Sequence, residues 1–321
     1  MKWIAIPFIL FMPFMLNAQK DEYHALIGKY HHDSLDAASL PGLAAMAMSY
    51  EEKDLAMSIA TDYKRNYLEK LPEDSICTRE NLQFITMFGQ LLNSNDQFFA
   101  LFCHQPEKVD SIMLNISPMH QDYAGNRIRL IVRKEEIDQK IWDGNRLITK
   151  NPKWRKMQSN IAQKYPFIDA ENLVIESRLT CYAHQNNWKR YAKEMDIKIK
   201  KYPPKTKTEE RGNWMGDAWN LNVAAWQVFL NCNNKRVLKK ALIWSNLSIS
   251  LEEPAPNVQY YDTKANLLYR IGRTEEAINV ERKAIESGIE NAKKRGVDKG
   301  DFFDEYTETL NKMKNNLPTW P

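Results

Sequence analysis

Glycine is scarce, with 11 residues in 321, roughly half its usual ~7% share. That scarcity disfavours turn-dense all-β architectures, and no Gly-rich loop able to cradle a phosphate is present. Cysteine is equally sparse. Cys77, Cys103, Cys181 and Cys232 are too far apart for any CxxC pair, which excludes a zinc knuckle and a dithiol redox motif. A nucleophile elbow of the GxSxG type and an HExxH metal helix are also missing. Glu135-Glu136 and Glu252-Glu253 are adjacent carboxylates that diverge on a helix, so neither pair has the facing geometry of a general acid and base. These absences predict a protein that is not an enzyme and that carries no cofactor; an enzyme built from distant convergent residues is the competing reading.

Long apolar runs are missing too, except at the start. Lys2 is followed by an uncharged stretch from Trp3 to Leu16, and Asn17-Ala18 precede the first polar residues. This is the layout of a secretory signal, with Ala18 suited to the position before cleavage. The run is shorter than the ~20 residues a spanning helix needs, and Pro7 and Pro13 interrupt it. The expectation is a cleaved signal over 1–18, no lipid anchor, no transmembrane helix afterwards, and a periplasmic or secreted mature chain.

What is present is charge, unevenly placed. From Gln19 to Ile148 the net formal charge is −6, and from Thr149 to Glu210 it is +7. The basic band 149–210 includes Lys150, Lys153, Arg155, Lys156, Lys189, Arg190, Lys198, Lys200 and Lys201. It reads as solvated helix faces or as a docking surface for an acidic partner or anionic glycan. The overall charge of +4 is too modest to point to nucleic acid. Of the histidines, His24, His31 and His32 with Asp33 form the densest group, but adjacent histidines point apart and no fourth ligand has suitable spacing, so no metal site is expected.

Apolar spacing at three and four residues recurs after Leu40. Leu55, Ile59, Ala60, Tyr63 and Tyr67 predict one helix ending before Pro72, and Leu82, Ile85, Phe88 and Leu91 predict another with Thr78 as N-cap. Asp96 is placed to cap a helix from Phe98 to Cys103. Residues 127–142 read as helix, with a loose strand-like alternation as the alternative. Cys103 and Cys181 lie on apolar stripes and are expected as buried free thiols.

The second half comes in pairs. Asp169 caps a helix through Leu179 and Tyr182, answered by one from Trp188 to Tyr202. Trp219 to Leu230 pairs with Leu238 to Ile249, and Tyr261 to Leu268 pairs, across Gly272, with Ala277 to Ile285. A last helix carries Phe303, Tyr306, Leu310 and Met313. The division this predicts is a polar N-terminal segment 19–40, an irregular helical region 41–202, a linker 203–216 and helical repeats 217–317.

Ala241 and Ala277 stand 36 residues apart, close to the ~34-residue tetratricopeptide period. The pair 261–285 resembles that family, with small residues Ala265, Ala277 and Ala284 at helix contacts and Gly272 in the turn. The resemblance implies an all-α fold of stacked antiparallel helical hairpins, a TPR-like α-solenoid, whose first helices line a groove for a protein or peptide partner. Asn220, Asn222, Asp262, Asn266 and Arg270 are the candidate peptide-binding residues. The segments Tyr67–Leu71, Thr78–Ile85, Ala225-Trp226, Lys240–Ser245 and Tyr261–Tyr269 further resemble the helical region behind the thioredoxin-fold module of exported Bacteroidetes-type proteins. That module has no counterpart here, so redox chemistry is not implied. The function expected is a non-catalytic interaction or scaffold module, with an accessory of an envelope thiol-redox system as the alternative. Trp214 and Trp320, outside the packing stripes, are expected as exposed contacts.

Overall fold

A computed structural model describes residues 13–117, 120–206, 216–253, 257–297 and 303–320. The chain is all-α, and it divides into two compact units that meet in sequence at Val132 and Arg133. The signal reading falls largely on residues 1–12, outside the described residues, as do 207–215 of the expected linker with Trp214.

The first unit contains α1 (Pro13–His31), α2 (Leu40–Ser49), α3 (Lys53–Asn66), α4 (Glu73–Ile76), α5 (Arg79–Met87), α6 (Gln97–His104), α7 (Pro106–Leu114) and most of α8 (Tyr123–Arg133). Ala56, Ile59, Ala60 and Tyr63 form the buried stripe of α3 and pack toward α2, where Leu43, Ala44 and Ala47 are the inward residues. Each such large aliphatic side chain contributes about 1.5–3 kcal/mol by leaving water. Tyr67, expected on the same stripe, lies just past the helix end and is 39% exposed.

The segment before Leu40 is more than a polar leader. α1 docks through two phenols: Tyr23, 2% exposed, donates to Glu52 at 2.6 Å, and Tyr30 donates to Asp62 at 2.5 Å. Thr78 caps α5 as its position predicts, accepting from the Asn81 amide at 3.2 Å. Asp96 does not cap α6 with its side chain. Its carboxylate instead takes the Lys64 ammonium at 2.6 Å and the Asn93 amide at 2.5 Å, closing the preceding loop. Leu91 falls in a 3-10 turn after α5 has ended.

Residues 127–142 are helical up to Ile141. α8 passes through a π-helical turn, Lys134–Asp138, into the short α9 (Gln139–Ile141), and Trp142 turns away into a two-residue ribbon, β1 (Trp142–Asp143) antiparallel to β2 (Arg146–Leu147). Gly144 makes that turn with φ +56°.

The second unit continues with α10 (Trp154–Lys164), α11 (Ala170–His184), α12 (Trp188–Lys201), α13 (Asp217–Asn231), α14 (Lys235–Leu251), α15 (Val258–Arg270), α16 (Thr274–Lys294) and α17 (Phe303–Lys314). Side-chain caps start four of these. Asp169, Asn187, Asn234 and Asn257 accept backbone N–H groups of α11, α12, α14 and α15 respectively. α11 packs on α12, α13 on α14 and α15 on α16, while α15 also touches both α13 and α14. Ala225, Ala241, Ala265, Ala277 and Ala284 are all completely buried, which lets these backbones approach closely. Between α15 and α16 the chain reverses at Gly272, φ +92°, with Arg273 N–H bonded to the Leu268 carbonyl, so 261–285 is two helices. α16 extends to Lys294, two turns beyond the expected Ile285.

All four cysteines are free thiols, and Cys77, Cys181 and Cys232 are buried. Cys103, expected in the core, is only half-buried, because the inward face of α6 belongs to Phe98, Leu101 and Phe102.

Candidate functional site

The five sequence-derived candidates do not share one groove. Asn220, on α13, is exposed and lines a cavity of about 240 Å³. The cavity floor is apolar and comes from three helices: Leu179 of α11, Tyr191 and Met195 of α12, Leu221 and Ala224 of α13. Burial pushes the Tyr191 phenol up to about 12, so it stays a neutral donor. Polar groups surround this floor, among them Asp217 and the Glu176–Lys198 ion pair at 3.1 Å.

Asn222, two residues on, points inward. It is 6% exposed, and its Oδ1 is buried without a hydrogen-bond partner. Asp262 and Asn266 are brought together on α15, where the Asn266 amide donates to the Asp262 carboxylate at 2.9 Å and to its carbonyl at 3.0 Å. Arg270 is half-buried. Its guanidinium lies between the rings of Phe229, 5.5 Å away, and Trp320, 5.0 Å away, and donates to Asn233 at 2.6 Å. Trp320, expected as an exposed contact, is thereby half-buried against Arg270 and Tyr269.

Asp262 has a second neighbour that the sequence reading passed over. Glu281 of α16 is wholly buried beside Asp262, with no hydrogen-bond donor on either of its carboxyl oxygens among the described residues. Two buried carboxylates this close disfavour double ionisation. Desolvation raises both groups above the ordinary carboxylate range, and Glu281 further feels the Asp262 charge. Asp262 keeps the Asn266 amide as a donor at 2.9 Å, which favours its ionised form over that of Glu281. Glu305, on α17, adds negative potential that raises Asp262 further. The signal was legible: Glu281 stands four residues after Ala277 and three before Ala284, on the same buried stripe of α16.

A second opening, about 560 Å³, lies between the first turns of α12 and α14. Lys189, Lys235, Arg236 and Lys240 line it, with Asn233 and Asn234. Lys240 is paired with Asp196, whereas Lys189, Lys235 and Arg236 are exposed and have no side-chain partner among the described residues. Lys189 belongs to the basic band, but Lys235 and Arg236 lie outside it and were not singled out by charge counting.

The remaining histidines carry no centre. His24, His31 and His32 are exposed, and among the described residues no three His, Cys, Asp or Glu side chains come together as metal ligands. No helix of the described residues is long and apolar enough to cross a membrane. In comparison with known proteins, the chain matches no protein-family model and no curated sequence.

Proposed function

We propose that this chain is an exported, non-catalytic interaction module whose second unit stacks TPR-like helical hairpins and uses them to hold a protein or peptide partner. The observation that carries this reading is the cavity beside Asn220, where three helices contribute an apolar floor and a polar margin. Such a surface accepts one or two apolar side chains of a bound segment while its margin hydrogen-bonds the segment's backbone. The side-by-side packing of α13 and α15, the first helices of successive pairs, supports a repeat arrangement of the tetratricopeptide kind.

Within this reading the inward-facing candidates take structural roles. Asn266 and Asp262 bind each other, and Arg270 clamps the C-terminal Trp320. Asn220 is the candidate that faces a ligand. Export rests on the layout of residues 1–18, with the mature chain in the periplasm or outside the cell.

The test is a crosslinking pull-down with the tagged full chain from the envelope fraction. One stoichiometric protein partner is expected, and Ala224→Phe, which fills the cavity from its floor, should abolish its recovery while leaving the circular dichroism spectrum unchanged. Recovery of the same partner with A224F at full yield contradicts the assignment of this cavity.

A further inference from the structure

The cavity between α12 and α14 is charged in a way that helix stability disfavours. The N-terminus of a helix carries partial positive charge, so acidic residues belong in the first turn and basic ones weaken it, by about 0.3–1 kcal/mol each. α11, α13, α16 and α17 follow that preference with Glu171, Asp217, Glu275-Glu276 and Asp304-Glu305. α10, α12 and α14 invert it, with Arg155-Lys156, Lys189-Arg190 and Lys235-Arg236 in their first turns and no acid. Only the starts of α12 and α14 open on one shared 560 Å³ cavity, so there the unfavourable charges of two helices are concentrated in one space. Lys189, Lys235 and Arg236 have no counter-ion among the described residues, so this shared space is where a local rule is broken without an internal compensation.

The capping pattern narrows the ligand. The Asn187 side chain already takes the Arg190 amide, and the Asn234 side chain takes the amides of Arg236 and Val237. The backbone donors that would wrap a single tetrahedral oxyanion at a helix start are therefore largely occupied. What the cavity offers is separated point charges, two ammonium groups and one guanidinium, spread over two helices. That arrangement suits several carboxylates carried on one flexible chain.

We propose that the α12–α14 cavity docks an acidic peptide segment, with Lys189, Lys235 and Arg236 reading clustered Asp or Glu carboxylates. This rests on the basic cavity alone and is independent of the Asn220 cavity.

The experiment measures fluorescence anisotropy of labelled hexaglutamate added to the full chain at low salt. The double variant K235E/R236E replaces misplaced charges with ones the helix start prefers, so it folds at least as stably as the parent, which a melting curve checks. Binding should weaken by tenfold or more in that variant, in line with loss of close charge pairs. It should change less than about twofold in K153E/K156E, where a separate basic opening of about 430 Å³ lies at the start of α10. Equal weakening in both variants would assign binding to diffuse charge and overturn the proposal. So would displacement of hexaglutamate by inorganic phosphate at equal total charge, which would make the site one for a tetrahedral anion.

Discussion

Glu281 of α16 lies beside Asp262 of α15, and no other acidic side chain among the described residues is as completely buried as Glu281. Desolvation of this kind favours the neutral, protonated form of Glu281.

Stability should therefore fall as pH rises. The folded-state affinity of Glu281 for its proton is raised above that of the unfolded chain, where an ordinary glutamate ionises near 4.5. The native state binds the extra proton above that value, so the contribution is complete in acid and is lost as pH climbs toward the raised native value. Asp262 is shifted in the same direction. Urea midpoints measured between about pH 5 and pH 9 should decline, with a limiting slope of about 1.4 kcal/mol per pH unit per proton. In Glu281→Gln the amide donates to Asp262 without titrating, and the decline should flatten. Parallel slopes for parent and variant would refute the raised proton affinity of Glu281.

Arg270→Ala should destabilise the second unit by about 1–3 kcal/mol, because it removes the Asn233 hydrogen bond and the stacking of Phe229 and Trp320 at once. Trp320→Ala should incur part of the same loss, and the double variant should cost less than the two singles combined. Strict additivity of the melting shifts would show that the two residues act separately.

Gly272 occupies a left-handed backbone conformation with open space around its Cα. Gly272→Ala should cost about 1–2 kcal/mol from backbone strain alone, with no clash to relieve. Thermal denaturation reads the effect, and an unchanged melting temperature would contradict the turn geometry.

The thiols should alkylate in an order set by burial. Cys181, 1% exposed and pushed up to about 11 by desolvation, is the slowest, and half-buried Cys103 is the fastest. Mass spectrometry of the native protein after timed iodoacetamide exposure gives the order, and faster labelling of Cys181 than of Cys103 would invert it.

Much of this fold is legible in the sequence because helix packing leaves periodic marks. The caps at Thr78, Asp169, Asn187 and Asn234, the buried alanines at 241, 265, 277 and 284, and the reversal at Gly272 all follow from local rules. Asp96 stands at the N-cap position of α6, but its carboxylate serves a long-range ion pair to Lys64, 32 residues away, which no local rule contains. The docking of α1 escaped for the same reason, since Tyr23 and Tyr30 find their acceptors in α3 and just before it. Asn220, Asn222, Asp262, Asn266 and Arg270 are polar positions on first helices, yet polarity on a helix does not say which way a residue faces. Asn222 and Asn266 are buried and Arg270 is half-buried between two rings, whereas Asn220 is exposed and lines a cavity. The basic opening was half visible: charge counting found Lys189, but only the packing of α12 against α14 brings Lys235 and Arg236 to it.

The interaction role is tested most directly by placing a photo-crosslinking amino acid at Asn220 and, as a control, at Ile243, a position 64% exposed on α14 and absent from the lining of the Asn220 cavity. The account predicts a single discrete adduct from Asn220 in cells and none of comparable yield from Ile243. Equal labelling at both positions, or none at Asn220 with the chain folded and exported, would contradict it.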